Sequence, residues 1–204
     1  MTLPILWLYG ADAVGKSTVA WEIYDSLTSR GVGAAYVDTD YLGFCSPTPY
    51  DDPSPLVAAN LAAMWPNFKA AGAECLIVAG IVVTAEQRQR FEETIPEAEL
   101  TLCLLRARAE TLGERIMRRG RVEGAESDGA ATGLTSKGLR EYGASAAKFA
   151  ALLDSQGIED FAVDTDGVPV PEVARAVLAK VGQCRTSLSL GVLQNGAQDN
   201  NAAP

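Results

Sequence analysis

Apolar residues gather in five short runs separated by longer stretches of mixed polarity. The runs Ile5–Tyr9, Ala34–Val37, Cys75–Val83, Leu100–Leu105 and Phe161–Val163 predict strands. They are nearly continuous rather than alternating, as strands buried on both faces of a parallel sheet are. Between them, Thr18–Arg30 places Val19, Ile23 and Leu27 on one helical face. Helices are also expected over Pro55–Ala71, with a break near Pro66, and over Ala85–Glu93, Glu110–Arg119, Ser136–Gln156 and Pro171–Val181. Strands alternating with helices predict an α/β domain with helices on both faces of the sheet. There is no internal repeat. Val122–Gly133 is small, acidic and Gly-rich and reads as a mobile loop. A length of 204 residues suits one domain, expected over residues 1–182. Residues 183–204 read as a flexible tail, in which Ser187–Leu193 alone has some apolar content.

The first predicted strand runs straight into Gly10-Ala-Asp-Ala-Val-Gly15-Lys16-Ser17, a complete G-x-x-x-x-G-K-[ST] motif (a Walker A phosphate loop), and the first predicted helix follows it. Gly10 and Gly15 admit backbone conformations closed to side chains. Successive N–H groups, including those of Asp12, Ala13 and Val14, can then wrap an anion at the positive end of the helix. Lys16 is placed to reach the β- and γ-phosphates of a nucleotide, Ser17 to ligate Mg²⁺ and Thr18 to reach the α-phosphate. Val14 stands where many kinases have a small residue and is expected to narrow the loop.

Charge and composition restrict what this loop serves. Seventeen basic residues against 26 acidic ones give a net −9, which argues against a nucleic-acid partner. The absence of histidine removes imidazole acids, bases and metal ligands. Cys45, Cys75, Cys103 and Cys184 form no C-x-x-C pair, so a reduced chain, cytoplasmic in location, is the simplest expectation. The start of the chain lacks the basic flank of a signal peptide and is too short to span a membrane.

Three features narrow the class. No N-K-x-D or T-K-x-D guanine-reading motif occurs, and no strand ends in a D-E pair. The second strand ends in Asp38-Thr39-Asp40, two carboxylates expected to point to one side of an extended segment, toward the phosphate loop. One can hold Mg²⁺ through water while the other accepts a proton from an attacking hydroxyl.

With GADAVGKST after the first strand, VDTD after the second, AGI after the third, an Arg-rich segment after the fourth and VDTDG after the fifth, residues 3–182 resemble the P-loop small-molecule kinases. The group of shikimate kinase, gluconate kinase, adenylylsulfate kinase and chloramphenicol phosphotransferase is the nearest in pattern. The resemblance implies a three-layer, nucleoside monophosphate kinase-like fold with a five-stranded parallel sheet of order 2-3-1-4-5, ATP and Mg²⁺ as cofactors, and a closing lid over about residues 106–135. By the same resemblance Asp40 would contact the acceptor hydroxyl, Asp38 would sit nearer Mg²⁺, Gly80 would line the acceptor pocket, and the turn with Asp166 and Gly167 would lie against adenine.

Residues 106–121 carry six arginines against two glutamates in an acidic protein. Arg115 and Arg119 share a helix face and are expected to clamp the transferring phosphoryl group. Between Gly31 and Phe68 there is no Lys or Arg. Of the aromatic residues there, Tyr41 and Phe44 are the candidates for ligand contact, whereas Tyr36, Trp65 and Phe68 read as core. Such a segment favours a neutral or cationic acceptor: a sugar, nucleoside, aminocyclitol or antibiotic hydroxyl. The expected activity is transfer of the γ-phosphate of ATP to that hydroxyl by a monomer or homodimer. Two alternatives stand beside it: a nucleoside monophosphate kinase in which Arg88 or Arg90 binds the acceptor phosphate, and a nucleotide-binding regulatory or resistance module without transfer.

Overall fold

Leu3–Tyr9 (β1) is buried at all seven positions and lies in the middle of the sheet. A computed structural model describes residues 3–47, 51–120 and 135–184. Strands Ala34–Asp38 (β2), Cys75–Ala79 (β3), Ala98–Arg106 (β4) and Phe161–Asp164 (β5) complete a five-stranded sheet of order β2-β3-β1-β4-β5, and every pairing is parallel. The expected strand order and fold class are those observed. Helices Lys16–Thr28 (α1), Ser54–Ala70 (α2), Ala85–Thr94 (α3), Ala109–Arg119 (α4), Ser136–Gln156 (α5) and Val170–Cys184 (α6) link or follow the strands.

The period of two in β1 divides the core. Leu6 and Leu8 join Ile23 and Leu27 of α1 and Val177 of α6 on one face. Ile5, Trp7 and Tyr9 meet Leu61 and Trp65 of α2 and Phe91 of α3 on the other. A third, small cluster joins Ala13 of the phosphate loop to Ile116 of α4 and to Leu139 and Ala146 of α5.

Two boundaries differ from the sequence reading for physical reasons. The run Cys75–Val83 is strand only as far as Ala79: the Gly80 N–H donates to the Leu8 carbonyl, and the chain then leaves the sheet toward α3. The break expected near Pro66 is also missing, since α2 continues to Ala70. Proline removes one N–H from the helix, but Leu61 and Trp65 remain packed on the sheet around it. Helix α6 runs through Cys184, past the expected domain end at residue 182. The loop Val122–Gly133, Arg121 and the tail beyond Cys184 lie outside the described residues. No described helix is long and apolar enough to cross a membrane.

A doubly wound sheet binds ligands beyond the C-terminal ends of its strands, where neighbouring connections diverge. Here β1 is flanked by β3 and β4, and Gly10, Asp38, Gly80 and Thr165 follow or end four of the strands on that rim.

Candidate active site at the C-terminal rim of the sheet

The phosphate loop needs unusual backbone at three positions. Gly10 has φ +151°, and a Cβ there would lie 2.6 Å from the Leu105 carbonyl oxygen. Gly15 has φ +110° and caps α1. Ala13 also has a positive φ, 63°, the left-handed conformation that costs an L-residue about 1–2 kcal/mol. Its methyl group, buried against Ile116 and Leu139, offsets part of that strain. The Val14 side chain is buried and belongs to the core cluster that includes Val19 and Leu112.

Lys16 is 8% exposed, and its Nζ donates to the carbonyls of Gly10 at 3.1 Å and Ala11 at 3.3 Å. Asp12 lies 4.0 Å from that Nζ. Burial pulls the Lys16 ammonium below the ordinary lysine range; Asp12, Asp40 and Asp38 oppose that shift, and Arg119 adds to it. The predicted phosphate lysine, both predicted carboxylates and one predicted lid arginine therefore share one electrostatic neighbourhood. Ser17 and Thr18 are exposed on the first turn of α1.

The Asp38–Asp40 pair is arranged differently from the extended i, i+2 pair expected. The strand ends at Asp38, and Thr39–Tyr41 forms a single 3₁₀ turn that Asp38 caps by accepting from the Asp40 N–H at 3.1 Å. The other Asp38 oxygen accepts from the Ser17 hydroxyl at 2.6 Å and from the Tyr36 hydroxyl at 3.4 Å. Tyr36, read as a core residue, thus helps to hold Asp38; burial and the adjoining Asp38 carboxylate push its phenol up to about 12. Asp40 is exposed and lines a neighbouring pocket. Thr39 is buried beneath the turn, and a Cβ on Gly80 would come within 1.9 Å of its Oγ1. Gly80 therefore serves the site by admitting Thr39.

That pocket encloses about 330 Å³ between the 3₁₀ turn, the start of α2 and α3. Phe44, Val57, Ile81, Val83 and Phe91 make most of its wall apolar, while Asp40, Asp52, Ser54 and Gln87 supply polar groups. Phe44 is 80% exposed at the mouth. Tyr41 is exposed nearby, its ring centroid 6.4 Å from that of Phe44, and is not among the lining residues. Arg88, the candidate for the acceptor, is held elsewhere. Its guanidinium donates to the Ile158 carbonyl at 2.6 Å and to Asp160, and pairs with Glu92, which ties α3 to the approach to β5 rather than serving an acceptor. Arg90 reaches Asp52 at 2.8 Å and Ser54 at 2.6 Å.

Arg115 also takes a role other than the expected phosphoryl clamp. It donates to the carbonyls of Ala13 (3.3 Å) and Val14 (3.0 Å), and to the Thr165 hydroxyl (3.0 Å) and carbonyl (2.8 Å). Thr165, which the sequence did not single out, is buried and donates to the Val14 carbonyl at 3.2 Å. The phosphate loop, α4 and the β5–α6 turn are thereby pinned together. Asp166 is likewise committed, accepting from the Arg108 N–H at 3.0 Å and pairing with its guanidinium at 3.2 Å. It fixes the turn in which Gly167 has φ +66°. Arg119 remains exposed on the last turn of α4.

Among the described residues no group of three or more His, Cys, Asp or Glu side chains is placed to cage a metal. The adjoining Ser17 and Asp38 oxygens fit Mg²⁺ instead, which takes one or two protein oxygens, keeps waters and borrows phosphate oxygens.

No protein-family model matches the sequence, and no curated protein matches it. Solved structures do match. The tunicamycin resistance protein of Deinococcus radiodurans is 18% identical with a TM-score of 0.55, over 88% of this chain and 96% of that one. A gluconokinase from Sinorhizobium meliloti 1021 is 19% identical with a TM-score of 0.53, over 88% and 92%. Shikimate kinase from Acinetobacter baumannii, solved with shikimate, is 14% identical with a TM-score of 0.54, over 91% and 97%. The chain thus has the fold of the P-loop small-molecule kinases.

Proposed function

We propose that this protein transfers the γ-phosphate of ATP to a hydroxyl of a neutral or cationic small molecule, with Mg²⁺. The observation that carries the reading is the hydrogen bond from Ser17 to Asp38, which joins the phosphate loop to the turn bearing Asp40 and so to the pocket. Bound Mg²⁺–ATP would supply an electrophilic phosphoryl group with its charge partly neutralised. Lys16 and the loop N–H groups bind the phosphates, and Ser17 and Asp38 are the metal-side oxygens. Asp40 orients the acceptor hydroxyl and takes its proton. Arg119 supplies positive charge at the transferring group, and Arg115 keeps the loop in shape. The β5–α6 turn with Gly167 receives the base of the nucleotide.

The resemblance to a gluconokinase, a shikimate kinase and a tunicamycin resistance protein supports a small-molecule acceptor without selecting one. A nucleoside monophosphate acceptor is disfavoured because Arg88 is committed to Asp160 and Ile158 and Arg90 to Asp52 and Ser54. ADP release measured with one panel tests these readings together. Turnover stimulated by sugars, nucleosides or aminocyclitols is expected. Turnover stimulated only by nucleoside monophosphates would select the nucleotide kinase, and nucleotide binding without stimulated turnover would select a regulatory or resistance module.

A further inference from the structure

Asp52 sits at the meeting point of the pocket's polar wall. One of its oxygens accepts from the Ser54 N–H at 2.9 Å and from Gln87 at 3.0 Å. The other accepts from the Ser54 hydroxyl at 2.5 Å and from Arg90 at 2.8 Å. Two donors on each oxygen use all the lone-pair positions a carboxylate offers. Burial raises the Asp52 carboxyl, but the hydrogen bonds from Ser54, Arg90 and Gln87 outweigh it and hold the group below the ordinary range. Asp52 therefore stays ionised at neutral pH and has no lone pair to spare for a ligand.

Arg90 is the counterpart. Its Nη1 also donates to the Ser54 hydroxyl at 2.6 Å, so the guanidinium is drawn against two lining residues while lining nothing itself. Among the described residues no Lys or Arg lines the pocket, and Asp40 does.

We infer that Asp52 determines acceptor charge: by holding Arg90 against Ser54 it cancels a basic side chain beside the pocket and sets the site against anionic acceptors. This rests on the pocket being the acceptor site. The ordinary alternative is that Asp52 only closes the turn ahead of α2 through the Ser54 N–H. The two roles separate because an amide or hydroxyl at position 52 keeps the turn but releases the cation. Asp52→Asn leaves Arg90 unpaired beside the pocket, whereas Arg90→Leu leaves Asp52 uncompensated. The two substitutions must shift charged ligands in opposite directions, which damage to the fold would not do.

Three probes on one phenyl carbinol scaffold test this: mandelate, 1-phenylethane-1,2-diol and 2-amino-1-phenylethanol, whose binding to the full chain is followed by ligand-observed NMR. The wild-type protein is expected to bind the amine and the diol more tightly than mandelate. Asp52→Asn should tighten mandelate by up to about fivefold, the upper end for partly exposed charges, and leave the diol unchanged. Arg90→Leu should weaken mandelate and tighten the amine. Parallel shifts of all three probes, mandelate moving the same way in both variants, or no saturable binding of any probe would overturn the inference. ADP release with the panel of sugars, nucleosides and aminocyclitols addresses the transferase reading separately: charge-ordered probe binding with no turnover of any panel member would leave Asp52 as the determinant of ligand charge and count against the transferase.

Discussion

Lys16 carries a charge that the folded chain does not need. Its ammonium is buried against two carbonyls, and burial lowers its pKa relative to the unfolded chain. For a base lowered in this way, the cost of folding is present wherever both states are protonated, at neutral pH and below. It is relieved as pH rises from the folded value toward the ordinary 10.5. Lys16→Met keeps the volume and removes the charge, so melting temperature at pH 7 is expected to rise while phosphate transfer is lost. A fall in melting temperature would show the lysine to be a structural strut. Asp40→Asn, nearly isosteric, is expected to retain ATP binding and lose about 10²–10⁴-fold in rate as a removed general base does. Asp38→Asn should raise the Mg²⁺ concentration at half-maximal rate, and exchanged phenotypes would reverse the two assignments. The sequence singles out Lys16 because the phosphate loop is contiguous and its backbone demands glycine at fixed spacing, and Asp38 and Asp40 because they close a predicted strand. It does not single out Asp52 and Thr165, because their partners lie on other elements: Gln87 and Arg90 on α3, Val14 and Arg115 on the loop and α4.

Gly80→Ala and Arg115→Lys test whether whole elements must keep their places. A methyl group on Gly80 would strike the Thr39 hydroxyl, so the 3₁₀ turn must move. Overpacking of this kind costs about 1–3 kcal/mol, and the displaced turn carries Asp40. Denaturant unfolding should show that loss of stability, and transfer should fall further than stability alone explains at temperatures where the variant is folded. Arg115→Lys keeps the charge but loses the planar fork that spans the Ala13, Val14 and Thr165 acceptors. Its expected effect is a raised KM for ATP with a smaller change in kcat, because the cradle loosens before the chemistry does; an unchanged KM would leave Arg115 without a role in the loop. Hydropathy located the described strands, most clearly β1 and β3, which are buried at every position. It could not tell where β3 ends, since Val82 stays buried after the chain has left the sheet. Charge spacing on α4 put Arg115 and Arg119 on one face, but only tertiary packing shows the first turned to carbonyls and the second left exposed.

At the scale of the molecule, two buried thiols among the described residues give a measure of nucleotide binding that needs no acceptor. Cys75 starts β3 and Cys103 lies within β4, the two strands that flank β1, and both side chains are fully buried. Burial, and after it Glu74, pushes the Cys75 thiol up to about 12, so in the native sheet it is neither accessible nor ionised near pH 8. Labelling of these thiols therefore requires the sheet to open, and when reclosing outpaces labelling the rate follows the equilibrium population of the open form. A ligand that binds only the folded chain lowers that population by the factor 1 + [L]/Kd. In a Cys45→Ser, Cys184→Ser background, Mg²⁺–ATP at about a hundred times Kd should slow labelling of Cys75 and Cys103 about a hundredfold. The same protection should vanish in Lys16→Ala, which leaves the sheet intact and removes the charge that meets the phosphates. Protection that survives Lys16→Ala would place the nucleotide elsewhere. No protection in the parent would mean that the phosphate loop, whatever its sequence, does not hold one, and the transferase reading would fall before any acceptor had been tried.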